Sequence, residues 1–318
     1  MTMRIAFVDS VHPLLAETLT RAGHEVMLHH NAGDRELATA LVDIDGIVVR
    51  SRPLSAEMLS HARKLRFVAR VGSGLENIDT RACAERGIHV LNSPEGNRDG
   101  VGETCVMLLL GLMKALVRAN NQVHSGLWLR EENRGTDLRG KTVGIIGYGH
   151  MGSAFAEKLR GFGVRVLAHD KYRSGFERAG IHESSLERVL RQSDVISLHL
   201  PLTPETHHFA DRDLFLRLGR PVWFLNTSRG AVVHTAALLD ALDQGRVIAA
   251  GLDVLEFERP DLSGLDPTME PATQQRLMGH ERVLLTPHIA GVTHEGKMKM
   301  ADVLARKILQ LFPHGKAR

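Results

Sequence analysis

Residues 142–170 read TVGIIGYGHMGSAFAEKLRGFGVRVLAHD, and this stretch decides the fold. Residues 143–146 form a short apolar run of the kind found in buried strands. Gly147, Gly149 and Gly152 follow as G-x-G-x-x-G, with Tyr148, His150 and Met151 between them. Residues 151–159 have helical spacing and residues 164–168 read as a second strand. Asp170 closes that strand 18 residues after the last glycine. A dinucleotide site needs these parts in this order. The first glycine permits the tight turn, and the second lets backbone approach the pyrophosphate. The third lets helix and strand pack closely, and the helix N-terminus faces the negative charge. A lone glycine motif is weak evidence, because a glycine-rich turn needs no ligand. The flanking strand, the helix and the acid make it specific. Asp170 would accept hydrogen bonds from the adenosine ribose hydroxyls and repel a 2′-phosphate, which favours NAD over NADP. Lys171 and Arg173 directly after it weaken that preference.

Outward from the fingerprint, strand and helix alternate. Strands are expected at 4–9, 25–28, 46–49, 65–71 and 88–91, and again at 195–198, 222–226, 248–253 and 283–286. This alternation implies an α/β chain with two Rossmann-like, doubly wound parallel sheets. A long apolar helix over 100–122 reads as the connector, followed by an irregular segment at 125–139. A last helix over 293–312 would return to the first unit. The expected domains are 1–99 with 291–318, and 100–290, the latter the NAD-binding domain. The chain has 318 residues, 43% apolar and 24% charged, with net charge +3, which is ordinary for a soluble globular protein. Basic residues are spread without a run, so no nucleic-acid surface is expected. The longest apolar run, 106–113, is too short to span a bilayer. Arg4 leads straight into a strand, so no signal peptide is expected. Two cysteines without metal spacing suit a reducing cytoplasm and no metal.

Three positions after the fingerprint carry chemistry at strand ends, where an open α/β sheet keeps its ligand. Arg229 lies in Asn226-Thr-Ser-Arg-Gly230, Glu258 five residues beyond Asp253, and His288 in Thr286-Pro-His-Ile-Ala-Gly291. An arginine fork binds a carboxylate in two-point geometry. A histidine can exchange a proton with a carbonyl oxygen that gains charge during hydride delivery. A carboxylate on its other ring nitrogen fixes the tautomer. Each residue also has an ordinary reading: a helix cap or surface ion pair, a solvated loop acid, a buried structural histidine.

Several motifs in order then make the chain resemble the D-isomer-specific 2-hydroxyacid dehydrogenase family over roughly 45–311. They are Val71-Gly-Ser-Gly-Leu-Glu-Asn-Ile-Asp79, the fingerprint, Ser197-Leu-His-Leu-Pro-Leu-Thr-Pro-Glu-Thr206, Asn226–Gly230, Gly251-Leu-Asp-Val254 and Thr286–Gly291. The resemblance implies that Arg229 binds and polarises a 2-oxo acid, that Glu258 supports His288, and that His288 is the proton donor or acceptor. It implies that 1–99 with 291–318 form a discontinuous substrate domain, with a substrate-carboxylate site at the backbone of Ser73 and Gly74. It also implies NAD contacts from the fingerprint residues, Asp170, the loop from His199 through Leu200 and Pro201 to Thr206, and Thr227, Ser228 and Arg229. Asp253, His288 and Gly291 complete that set. A homodimer through the connector helix is implied too. Two departures stand out. Arg259 intervenes before the proline that usually follows the glutamate, which leaves Glu256 as a substitute, and the segment 261–279 is longer than usual.

Arg50, Arg52 and Arg70 lie at strand ends of the first unit and suit a second anion such as a phosphate, unless Arg50 and Arg52 point in opposite directions and one is solvated. That pattern resembles the family members that oxidise 3-phosphoglycerate, here without room for a C-terminal regulatory domain. Glyoxylate or hydroxypyruvate reduction is the alternative within the family. Some relatives act as NAD-sensing corepressors and keep the same three residues, so that reading stays open, although long disordered flanks suited to partner recruitment are not expected. Replacement of Asp170 by alanine is expected to lower the preference for NAD over NADP. Equilibrium binding of NADH and NADPH checks this, and an unchanged ratio removes Asp170 from the ribose site.

Overall fold

Short apolar strands joined by helices form two parallel sheets in the computed structural model, as the alternation implies. It describes residues 2–259 and 261–313, so Pro260 and the tail from 314 lie outside the described residues. The chain divides into two compact units. One comprises Met1–Arg98, Pro260–Leu262 and Val292–Arg318, the other Asp99–Arg259 and Ser263–Gly291. The sequence-based boundaries differ from these by one residue at the two main junctions and do not include the short return at 260–262.

In the first unit β1 (Arg4–Phe7), α1 (Leu14–Arg21), β2 (Glu25–Leu28), α2 (Asp34–Ala40), β3 (Gly46–Val49), α3 (Ala56–His61), β4 (Phe67–Arg70), α4 (Thr80–Glu85) and β5 (His89–Asn92) follow in turn. The sheet order is β2-β1-β3-β4-β5, parallel throughout. Alternate side chains sort onto two faces, as the strand period dictates. Ala6, Ile47, Val49 and Val68 pack under α2 and α3 with Leu37, Leu59 and the buried Cys83. Ile5, Phe7, Val48, Phe67 and Ala69 pack on the other face with Leu15 and Leu19 of α1. The last helix, His294–Leu311, joins them there through Met300, Ala301, Leu304 and Ile308. Thr293 caps that helix by accepting from Gly296 N at 2.9 Å.

The expected connector helix is two helices: α5 (Pro94–Met113) and α6 (Leu116–His124), bent by 62°. The break lies at Ala115, which adopts φ 49°. A continuous helix would give the Met113 carbonyl to the amide four residues on. Here Thr136 N donates to it at 2.8 Å, and Lys114 is held by Asp137 at 2.5 Å. Neither residue at the break is a sequence signal for one. No single helix among the described residues is long and apolar enough to cross a membrane.

The second unit continues with β6 (Thr142–Ile146), α7 (His150–Lys158), β7 (Arg165–His169), β8 (Ile181–Glu183), α8 (Leu186–Gln192), β9 (Val195–Leu198), α9 (Arg212–Leu216) and β10 (Val222–Asn226). It ends with α10 (Thr235–Asp243), β11 (Val247–Leu252), α11 (Pro271–Met278) and β12 (Val283–Leu285), before α12, the last helix named above. Its sheet runs β12-β11-β10-β9-β6-β7-β8, all parallel. The chain leaves β6 toward β7 and later returns to β9 on its other side, so the carboxyl end of β6 is the switch point where such sheets hold ligands. The long segment 261–279 contains α11, whose Leu277 is buried in the core with Leu238 and Leu242 of α10. Arg276 ties it to Asp240 and Asp243 at 3.0 and 2.6 Å.

Leu304 is fully buried where α12 meets the first sheet. Leu304→Ala should lower unfolding stability by about 2–4 kcal/mol, read as a shifted midpoint in urea. An unchanged midpoint would contradict this packing.

Candidate active site

At the carboxyl end of β6, Gly147 turns with φ 91°. A β-carbon there would lie 2.4 Å from the His199 carbonyl oxygen, and one on Gly152 would lie 2.0 Å from that of Gly147. Both are packing glycines. Gly149 is different: a β-carbon there would meet nothing within 4 Å. It immediately precedes α7, whose N-terminus has no side-chain cap. Open space before uncapped helix amides fits a pyrophosphate, so the residues present fit NAD. Asp170, directly after β7, accepts from Tyr148 N at 2.8 Å and from Tyr172 N and Arg173 N at 3.0 Å each. Its carboxylate is thus fixed beside the glycine loop. Tyr148 turns inward and stacks on Phe176 with ring centroids 4.4 Å apart.

The other strand ends converge through backbone contacts. Asn226, the last residue of β10, has its side chain bonded to Arg229 O at 2.9 Å and to Ser228 N and Oγ at 3.1 and 2.7 Å. This holds Arg229 half-buried, with Nη1 donating to Ser228 O at 2.6 Å. Gly230 is needed next: a β-carbon would lie 1.8 Å from Leu255 O. The loop after β11 runs against it and delivers Glu258. One oxygen of Glu258 accepts from Leu255 N at 2.7 Å, and the other meets His288 Nδ1 at 2.8 Å. His288 adopts the left-handed φ 55°, which is costly for a residue with a side chain. Its amide donates to Asp253 O at 2.7 Å. The buried Asp253 carboxylate accepts from Thr286 Oγ1, Ile289 N and Ala290 N at 2.6, 2.9 and 2.8 Å. Glu256 is engaged elsewhere, pairing with His208 Nε2 and accepting from Thr235 N at 2.7 Å. The two glutamates are thereby distinguished, and only Glu258 meets His288.

Other residues named from sequence have local partners. His199 Nε2 lies 2.9 Å from Ser197 Oγ. Burial pushes the His199 imidazole down to about 3, so it stays neutral. Thr206 Oγ1 donates to Pro201 O at 2.5 Å and closes the loop that contains Leu200. The Thr227 hydroxyl lies 3.2 Å from the sulfur of the buried Cys105. Met151 packs against the α7 side of the core, and Gly291 follows the buried Ala290, half-buried itself.

In the first unit the three arginines do not form one cluster. Arg70 Nε donates to Arg50 O at 3.1 Å. Arg52 turns away, and its Nη2 donates to Ala32 O at 2.5 Å. Arg52 is thus separated from the expected phosphate group by the bend after β3, which sends its side chain to the Ala32 carbonyl. Asp9, which the sequence did not single out, organises the turn. Its Oδ2 accepts from the amides of Arg50, Ser51 and Arg52 at 2.7, 2.8 and 3.0 Å. An acid after the first strand was the only signal. Ser73 Oγ donates to Asn97 at 2.9 Å and Asn92 bonds Ser73 O at 2.7 Å. The amides of Ser73 and Gly74 donate to no protein acceptor among the described residues.

A family model described as "D-isomer specific 2-hydroxyacid dehydrogenase, NAD binding domain" matches residues 106–290. The chain is 33% identical over 287 residues to the hydroxypyruvate reductase of Thermotoga maritima, covering 90% of each chain. It is 31% identical over 312 residues to the D-3-phosphoglycerate dehydrogenase of Archaeoglobus fulgidus, with 97% of this chain covered but only 57% of that relative's length. A crystal structure of D-lactate dehydrogenase from Aquifex aeolicus complexed with NAD and lactic acid is similar at a TM-score of 0.81 and 27% identity. The match covers 97% of this chain and 95% of that one.

Gly230→Ala should push the Glu258 loop away from Arg229. An ångström of displacement at a reacting centre costs about 10²-fold in rate, so turnover should fall by that order while NADH binding stays within a few-fold. Retained turnover would show that the close approach does not matter.

Proposed function

Because the chain belongs to the D-isomer specific 2-hydroxyacid dehydrogenase family, with NAD as its cofactor, we propose that it interconverts a D-2-hydroxy acid and its 2-oxo acid. The favoured pair is D-3-phosphoglycerate and 3-phosphohydroxypyruvate, the entry reaction of serine synthesis. The observation that carries the reaction type is the 2.8 Å contact between His288 Nδ1 and Glu258 Oε2. With Nδ1–H donated to the carboxylate, Nε2 is left to take the proton of a C2 hydroxyl, or to return it to a C2 carbonyl oxygen. Glu258 then stabilises the imidazolium that forms. Arg229 holds the substrate's oxygens and lowers the cost of negative charge on the C2 oxygen. The fingerprint residues and Asp170 would hold NAD by its pyrophosphate and adenosine ribose, and its nicotinamide would supply the hydride acceptor, or as NADH the donor. Ser73 and Gly74 take the substrate carboxylate through their amides.

The phosphorylated substrate is favoured by Arg50 and Arg70, which stand at the ends of neighbouring strands β3 and β4, with the Arg70 side chain on the Arg50 carbonyl. Hydroxypyruvate or glyoxylate reduction is the second reading, and the even coverage of the Thermotoga maritima reductase favours it. A homodimer is part of the proposal. Leu116, Val117 and Val123 of α6, with Leu127 and Trp128 after it, are exposed, Trp128 by 77%. Apolar surface of that kind suits a partner protein. A cytoplasmic location fits the two free, buried cysteines.

The test follows absorbance of NADH with the purified full chain, using D-3-phosphoglycerate with NAD, and hydroxypyruvate or glyoxylate with NADH. Phosphoglycerate turnover that falls at least about tenfold in Arg50→Ala and Arg70→Ala supports the favoured substrate. Turnover of the unphosphorylated acids alone moves the assignment to the second reading. Arg229→Ala and His288→Ala should each lower kcat by about 10²–10⁴-fold, with NADH affinity little changed. Normal kcat in either overturns the mechanism.

A further inference from the structure

Lys171 and Arg173 lie one and three residues after Asp170, the acid read above as facing the adenosine ribose, so two cations neighbour in sequence the residue that would meet a 2′-phosphate. Their partners differ. Arg173 Nη1 donates to Tyr148 O at 2.9 Å, inside the glycine fingerprint. Lys171 Nζ donates to Glu205, and Tyr172 OH donates to the other oxygen of the same carboxylate. Glu205 comes from a different part of the chain, the loop after β9. That loop is closed on itself, with Thr206 Oγ1 donating to Pro201 O at 2.5 Å and Thr203 N donating to Thr206 Oγ1 at 2.8 Å. The carboxylate is therefore presented on a defined turn.

The sheet order gives this pair its place. β7 and β9 are the two neighbours of β6, so a bond between their following loops crosses above the carboxyl end of β6, where Gly147 turns and α7 begins. From the geometry we infer that Glu205 is a cofactor-specificity residue: it draws the Lys171 ammonium away from the ribose 2′ position and thereby disfavours NADP. This rests on the NAD reading above and extends it. Asp170 supplies the direct repulsion of a 2′-phosphate, and Glu205 removes an attraction that the neighbouring lysine would otherwise provide. The hydrogen bond from Lys171 holds the Glu205 carboxyl below its ordinary range, and the same bond raises the Lys171 ammonium. Both groups stay charged at neutral pH. Both are exposed, with 63% and 47% of their side-chain surface accessible, so the effect is modest and screened by salt.

The experiment is equilibrium binding of NADH and NADPH to the full-length protein, followed by cofactor fluorescence and calorimetry, without turnover. Glu205→Gln keeps the shape and removes the charge. NADPH affinity should rise about three- to tenfold relative to NADH, the scale of one exposed charge pair. The gain should shrink between low and high salt. In Glu205→Gln/Lys171→Ala the ratio should return toward that of the parent protein, which a general loosening of the loop would not produce. An unchanged NADPH to NADH ratio in Glu205→Gln overturns the inference while leaving NAD binding intact. So does a rise that survives removal of Lys171. A parent protein that binds neither nucleotide overturns the NAD reading itself, and this inference with it.

Discussion

The buried carboxylate of Asp253 is the constraint on which the second unit's chemistry depends. Burying a carboxylate is tolerable only when donors surround it, and here a hydroxyl and two amides of the 286–290 loop do so. The same residue's carbonyl takes the amide of His288. Side chain and backbone of one residue thus hold the loop from two directions. That grip sustains the left-handed backbone at His288, which would relax if the loop were free. The imidazole is presented to Glu258 by backbone architecture, and the contact between them is a consequence.

Arg229 is tied into the same arrangement from the other side. The loop that carries Glu258 passes so close to Gly230 that no side chain fits between them. Asn226 fixes the turn that carries the arginine. Three strand ends, β10, β11 and β12, therefore share one scaffold of backbone bonds. Parallel pairing sets their spacing, and short side chains set how closely the following loops approach. Glu256, two residues before Glu258, anchors the loop to the start of α10 and to His208.

The periodic parts of the fold are legible in the sequence. Apolar runs mark most strands within a residue or two, and the order of glycine, helix and acid marks the switch point. Arg229, Glu258 and His288 stand in motifs at strand ends, and the structure joins two of them directly. What is not legible depends on partners distant in the chain. The break between α5 and α6 arises because Thr136 takes the Met113 carbonyl. The helix within 261–279 exists because α10 offers it a surface. Arg52 turns to Ala32 across 20 residues, and the turn that carries it is held by Asp9. Local pattern carries no trace of a hydrogen bond to so distant a residue.

The two cysteines have a practical consequence. Cys83 lies in the core of the first unit and Cys105 in that of the second, and neither has any accessible surface. Burial raises both thiols, that of Cys105 to about 12. Since the thiolate is the reactive form, a thiol reagent can attack either only after its surroundings open. The chain thus contains one intrinsic labelling probe per unit, and peptide mapping of the two rates would time the local unfolding of each half separately.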